Sequence, residues 1–267
     1  MPNMKTVLTI AGFDPSSGAG ITADLMVFAA HGLFGTSCIT ALTVQNTLGV
    51  FATHPIALDT VTDTLLHLLD DLPPAGIKIG MLATAGNVSA VAAFLARMRR
   101  QQPVAVVLDP VVKSSSGKPL LDPAGISAIR SELLPLVDWV TPNIAELGAL
   151  LDRDLPPGSD LLGAASDLQR LGRDLSVVVT GGDLDPPDEL LLVSDSSPWT
   201  LPGQKIQTSS THGTGCTFSS SLLSRLVLGD QPRQAAEAAK AYVAHAMRTA
   251  VPLGKGHGPL NHLWPLR

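Results

Sequence analysis

The sequence predicts an α/β fold, a mostly parallel sheet flanked by helices, built as one domain over residues 1–267. Short apolar or β-branched runs alternate with helix-period segments through most of the chain, as in a parallel sheet with crossover helices. The polar residues that suggest chemistry follow those runs directly. Asp14, Gln45, Asp109, Asn143, Thr180 and the loop 211–216 all stand at predicted strand ends, where such sheets bind their ligands. No composition shift, repeat or low-complexity segment marks a boundary.

Each element has a local reason. Residues 6–11 are a β-branched, apolar run ending in Gly12, hence a buried strand, and 12–20 is a loop of turn formers. A helix follows over 21–31, with Gly32 as its cap. Residues 37–44 form the second strand, Gln45, Asn46 and Thr47 leave its C-terminal end, and 50–54 is a further short strand. Val61, Leu65, Leu66, Leu68 and Leu69 recur at helical spacing within 58–72, and Pro73-Pro74 closes that helix. Residues 77–79 form a short strand, and 87–100 a helix with its arginines at the C-terminal end, as the dipole prefers. The five apolar residues 104–108 are the clearest strand and run straight into Asp109-Pro110. Asp122 as N-cap with Pro123 behind it starts a helix. Residues 139–141 form a strand, and Pro142-Asn143 opens the next helix. Residues 161–171 are helical, and 177–179 is a buried strand ending in Thr180-Gly181-Gly182. Residues 190–193 and 199–201 read as an antiparallel pair. A helix carrying Phe218, Leu222, Leu223, Leu226 and Val227 on one side stops at Gly229; 232–250 is a long alanine-rich helix and 254–267 a loop.

Apolar residues make up 45% of the chain, enough for a sizeable core, and charged residues 15%. A net charge of −5 gives no electrostatic basis for binding nucleic acid or an anionic membrane surface. Cys38 and Cys216 do not make a disulfide framework, and Cys38 belongs to an apolar run that reads as core. The N-terminus lacks the basic region and long apolar stretch of a signal peptide, and no apolar run is long enough to cross a bilayer. A soluble cytoplasmic protein is expected.

The chemistry centres on Thr211-His212-Gly213-Thr214-Gly215-Cys216-Thr217. Two glycines two residues apart let the backbone turn tightly and bring its N–H groups close to a ligand. A helix begins at once, so its free N–H groups and dipole form a cradle for an anion and favour the thiolate of Cys216. The same stretch also reads as a plain helix start with a small buried cysteine. Asp24 is either a solvent-facing helical aspartate or part of a site, and Gln45 either caps a turn or faces a pocket. Asn143 and Glu146 fit an ordinary Asn-x-x-Glu helix start, and equally a water-mediated magnesium site beside nucleotide phosphates. No P-loop motif is present. Gly18-Ala19-Gly20-Ile21-Thr22-Ala23 matches a dinucleotide fingerprint loosely, but it lies several residues past its strand and lacks the downstream acidic residue. The seven histidines lack metal-ligand spacing, which argues against structural zinc.

Several stretches are shared, in order and spacing, with one family. They are 9–16 with Gly18-Ala19-Gly20, Ala23-Asp24-Leu25, Gln45-Asn46-Thr47, Lys78-Ile79-Gly80-Met81-Leu82 and Asp109-Pro110-Val111. Further on come Thr141-Pro142-Asn143 with Glu146, Gly181-Gly182, 211–217 and 254–259. The chain resembles the ribokinase-like superfamily and, within it, the hydroxymethylpyrimidine/phosphomethylpyrimidine kinases of thiamine biosynthesis.

The resemblance implies ATP and Mg2+ as cofactors, phosphorylation of 4-amino-5-hydroxymethyl-2-methylpyrimidine and then of its monophosphate, and a homodimer. It makes Gly213, Thr214, Gly215 and Cys216 the catalytic anion hole, with Cys216 where most of the superfamily has an aspartate base. Gly12, Asp24, Gln45, Met81 and Val107 would bind the pyrimidine. Asp109, Asn143, Glu146, Thr180, Gly182 and Thr211 would bind the nucleotide, with Asp109 and Glu146 serving the magnesium. Two positions depart from the family pattern: Thr180 stands where a lysine is usual, and Ser114-Ser115-Ser116-Gly117 replaces Ala-Lys-Ser-Gly, with Lys113 and Lys118 nearby. The rival readings are a vitamin B6 kinase and a non-catalytic ligand sensor of the same fold.

Overall fold

A computed structural model describes residues 4–182, 184–194 and 196–266. Nine strands form one sheet: β1 (Thr6–Phe13), β2 (Phe34–Asn46), β3 (Gly49–Pro55), β4 (Gly76–Ile79), β5 (Ala105–Leu108), β6 (Trp139–Val140), β7 (Ser176–Val179), β8 (Glu189–Leu192) and β9 (Trp199–Leu201). Their spatial order is β3-β2-β1-β4-β5-β6-β7-β8-β9. The six strands from β2 to β7 in that order run parallel, while β3, β8 and β9 are antiparallel additions at the edges.

The helices are α1 (Gly20–Ala30), α2 (Leu58–Asp71), α3 (Ala85–Met98), α4 (Pro123–Ala128), α5 (Ile144–Leu151), α6 (Leu161–Gln169), α7 (Thr214–Leu228) and α8 (Pro232–Arg248). They cover both faces, because a parallel strand has two faces to bury. One face packs Leu8, Ile10, Ile77, Ile79, Val106 and Leu108 against α2 to α6. The other packs Val7, Val107 and Val178 against Phe28 of α1 and Phe218, Leu222 and Ala239 of α7 and α8. Cys38 is core, as its apolar run predicts.

Differences from the sequence reading are local. The second strand is longer than 37–44, because its N-terminal end pairs with the start of β1 and its C-terminal end continues as a ribbon with β3. The helix predicted from Asn87 starts at Ala85, since Thr84 caps it by accepting a hydrogen bond from the Asn87 N–H. The predicted C-terminal loop contains a 3-10 turn at Trp264–Leu266. Among the described residues no helix is long and apolar enough to cross a membrane.

β1 pairs with β2 on one side and β4 on the other, so the winding order reverses there. Crevices form at such points beyond the strand ends. The β1–β2 register also shifts between Ala11 and Phe13, a bulge that re-aims the chain at Gly12.

Candidate active site

A cavity of about 1600 Å3 opens beyond the carboxyl ends of the parallel strands. One drug-sized ligand needs about 300–1,000 Å3, so this cavity has room for two. Thirteen of the fifteen residues given a site role from the sequence line it. They are Gly12, Gln45, Met81, Asp109, Asn143, Glu146, Thr180, Gly182, Thr211 and Gly213 to Cys216.

The start of α7 provides the anion cradle. Gly213 is its N-cap, left-handed at φ 87°, with no side-chain cap on the first N–H groups. A Cβ at Gly213 would lie 1.9 Å from the carbonyl oxygen of Gly18, so only glycine fits. The N–H groups of the first turn are therefore available to a bound anion, reinforced by the helix dipole.

Beneath the cradle lies a buried charge cluster. Lys78 Nζ sits 3.0 Å from Asp24 and 3.9 Å from Asp109 Oδ2. Asp24 also accepts hydrogen bonds from Thr9 Oγ1 at 2.6 Å and Ser220 Oγ at 2.7 Å. Ser219 Oγ donates to Asp109 Oδ2 at 3.2 Å. Burial opposes charging Lys78, but Asp24 above all, with Cys216 and Asp109, outweighs it and holds the ammonium form. Burial raises the Asp109 carboxyl, and Lys78 pulls against it.

This cluster corrects two assignments. Asp24 is fully buried: it neither faces solvent nor lines the cavity, because its carboxylate is committed to Lys78. Val107 is fully buried as well, in the core beneath the sheet. Alternation along the four-residue β5 turns it away from the cavity.

Cys216 also departs from expectation. Burial pushes its thiol up to about 12; Lys78 and the Gly20 N–H work against this, and Asp109 and Asp24 add to it. The helix start does not leave a resting thiolate, because two buried carboxylates and desolvation outweigh the dipole.

At the start of α5, Asn143 and Glu146 form a reciprocal capping box. Asn143 Oδ1 accepts from the Glu146 N–H at 2.8 Å, and Glu146 Oε2 accepts from the Asn143 N–H at 2.9 Å. The ordinary helix-start reading is thus realised, and the same two side chains border the cavity. Thr180 lies beside Asn143 through a parallel bridge.

A sequence profile described as phosphomethylpyrimidine kinase matches residues 14–261. The chain belongs to the phosphomethylpyrimidine kinase family. It is 43% identical over 267 residues to the hydroxymethylpyrimidine/phosphomethylpyrimidine kinase of Haemophilus influenzae, covering 98% of each chain. It is similar to an ADP complex of Bacillus subtilis pyridoxal kinase, with TM-score 0.87, 31% identity and coverage of 99% and 100%. It is also similar to phosphomethylpyrimidine kinase from Clostridium difficile, with TM-score 0.78, 32% identity and coverage of 91% and 99%. The fold is the ribokinase-like one.

Within this family's frame, the two lysines near the departing loop separate. Lys113 lines the cavity. Lys118 is turned away and donates to the carbonyl of Phe51.

Three groups were given no role in the sequence reading. Lys78 has a legible signal, a lysine in the middle of the apolar run 77–79, since a buried ammonium demands partners. Asp14 accepts from the N–H groups of Ser16, Gly18 and Ala19 and so shapes the glycine-rich loop. His212 reaches from the cradle to Asp14, at 2.7 Å. Sequence spacing carries no signal for that last contact, which joins residues 198 positions apart.

Proposed function

We propose that this chain transfers the γ-phosphoryl group of ATP to 4-amino-5-hydroxymethyl-2-methylpyrimidine, and then to the resulting monophosphate, supplying the pyrimidine diphosphate for thiamine diphosphate biosynthesis. The observation that carries this reading is one cavity, large enough for two ligands, that is lined by the uncapped start of α7 and by both sets of residues expected to bind pyrimidine and nucleotide. Family membership supplies the reaction class.

The pyrimidine stands against Gly12, Gln45 and Met81. The nucleotide lies along Asn143, Glu146, Thr180, Gly182 and Thr211, with Lys113 the cavity lysine nearest in sequence to the family's usual one. The N–H groups of Thr214, Gly215 and Cys216 hold the phosphoryl oxygens as charge shifts onto them, and fixed donors need no reorganisation during transfer. In the first step the alcohol oxygen bonds to phosphorus, ADP leaves, and the hydroxyl proton passes to the thiolate form of Cys216, which has first given its own proton to solvent. In the second step the substrate phosphate is already an anion. Asp24 supports the site from behind by fixing Lys78.

Magnesium fits the donors present. Asp109 and Glu146 bring two carboxylates to the cavity, and among the described residues no cluster of three or more ligating side chains forms a cage. Mg2+ keeps its waters and is held through one or two carboxylates and substrate phosphates. When bound, it neutralises phosphate charge.

The likeness to pyridoxal kinase supports a second reading, vitamin B6 phosphorylation in the same cavity. ADP formation measured with the pyrimidine alcohol, pyridoxal and pyridoxine separates them. A preference for the pyrimidine in kcat/KM supports the main reading; preference for the pyridines overturns it. We also infer a cytoplasmic homodimer. Two free thiols suit a reducing compartment, and Leu42, Val44, Leu48 and Phe51 are exposed on the β2–β3 ribbon, an apolar surface that a second copy would cover.

A further inference from the structure

Gln45 ends in an amide whose oxygen and nitrogen have the same shape, so only donor–acceptor balance decides which way it faces. Its two ends meet Thr43 Oγ1 at 3.2 Å and His212 Nε2 at 2.9 Å. Thr43 has one hydroxyl hydrogen, and the carbonyl of Phe13 takes it at 2.9 Å. Toward Gln45, then, Thr43 has only a lone pair to offer.

The other end is fixed by Asp14. This carboxylate accepts from the Ser16 N–H and Oγ through Oδ1, and from the Gly18 and Ala19 N–H groups through Oδ2. Burial would raise its carboxyl, but the hydrogen bonds from His212 and Ser16 prevail and hold it below the usual range. An ionised Asp14 surrounded by donors cannot donate to His212, so the contact of 2.7 Å requires a hydrogen on His212 Nε2. A protonated Nε2 has no lone pair for an amide N–H. Gly18 makes the contact possible: a Cβ there would lie 2.2 Å from the imidazole ring.

With the amide oxygen toward Thr43 and its nitrogen toward His212, both ends conflict: an acceptor meets an acceptor and a donor meets a donor. With the two exchanged, His212 Nε2–H is shared between Asp14 and the amide oxygen, and the amide NH2 donates to Thr43. We propose that the Asp14–His212 pair locks the Gln45 amide with its oxygen toward His212 and its NH2 toward Thr43, fixing the order of acceptor and donor offered to the ligand. One lone pair and one N–H are left for the cavity. They match a ligand edge with a donor on the His212 side and an acceptor on the Thr43 side, as an amino group beside a ring nitrogen provides. His212 is thus a positioning residue, and it lies next to Gly213 of the cradle.

The specificity consequence rests on the reading of Gln45 as a pyrimidine contact; the lock itself does not, and the two are tested separately. Ligand-free protein labelled with 15N-histidine reports the His212 tautomer by long-range 1H–15N correlation, with assignment by His212→Asn. A proton on Nε2 is expected; a bare Nε2 overturns the lock. Thr43→Val keeps the shape and removes the acceptor of the NH2. A pyrimidine KM raised severalfold is expected, with the KM for ATP within about twofold; a pyrimidine KM unchanged in Thr43→Val but raised in Gln45→Leu overturns the amide orientation. Gln45→Leu tests the underlying contact alone: if it leaves the pyrimidine KM unchanged while Nε2 is protonated, the substrate reading fails and the lock stands.

Discussion

Lys78 Nζ lies 3.0 Å from both carboxylate oxygens of Asp24, and neither side chain has any exposure. The pair joins β4 to α1 directly beneath the cradle. Removing one partner of a buried pair leaves an uncompensated charge, at a cost of about 3–5 kcal/mol. Lys78→Met strands Asp24 and leaves Asp109 without its cation, so a loss of stability in that range is expected by urea denaturation. Adding Asp24→Asn to Lys78→Met should recover part of it. A single variant as stable as the parent would show that the carboxylates do not need the ammonium.

On the proposed mechanism, Cys216 should separate the two phosphorylations. General bases contribute about 10²–10⁴-fold and work best with a pKa near the operating pH. A thiol held up at about 12 sits far from that optimum, so Cys216→Ala should slow the alcohol step by about a hundredfold, the lower end of the range. Phosphorylation of the monophosphate should fall much less. Single-turnover rates for both steps check this; equal losses would mean that Cys216 acts through packing of the cradle.

Thr180 lines the cavity without a charge, on the proposed nucleotide side, its hydroxyl 3.4 Å from the carbonyl of Pro142. Thr180→Lys places an ammonium beside Asn143. Tighter ATP binding at low salt, weakening as salt rises, is expected from titration calorimetry. Unchanged or weaker binding would assign that charge to Lys113.

Glu189 gives the stability a pH dependence. Burial pushes its carboxyl up to about 7 against the pull of Lys240, and its Oε2 has no hydrogen-bond partner. Because the folded value lies above the ordinary 4.5, the stabilisation is complete below about pH 4.5 and is lost as the pH rises through about 7. The loss amounts to at most about 3 kcal/mol. Glu189→Gln should flatten the decline in urea midpoint between about pH 5 and pH 8; an identical decline in both proteins would place its source elsewhere.

Most of the sheet and the uncapped start of α7 were legible because their signals are local. Apolar runs that end in polar residues mark strand ends, and Gly213 before a helix-period stretch marks an uncapped helix start. Asn143 and Glu146 were legible as a pair but not in role, since a capping box and a phosphate-side carboxylate use the same residues. Asp24 and Val107 were misplaced because their positions depend on contacts distant in sequence. The ammonium that claims Asp24 lies 54 residues away, and the face to which Val107 turns is set by where β5 meets the sheet. The Asp14–His212 contact had no sequence signal for the same reason.

The most direct measurement of the central claim is a product-resolved reaction. The protein is incubated with Mg-ATP and 4-amino-5-hydroxymethyl-2-methylpyrimidine, and the monophosphate and diphosphate are separated over time. The account requires the monophosphate to rise first and then be consumed as the diphosphate accumulates, with one ADP formed per phosphoryl group transferred. Monophosphate that accumulates without conversion, or ATP that is not consumed, would contradict it.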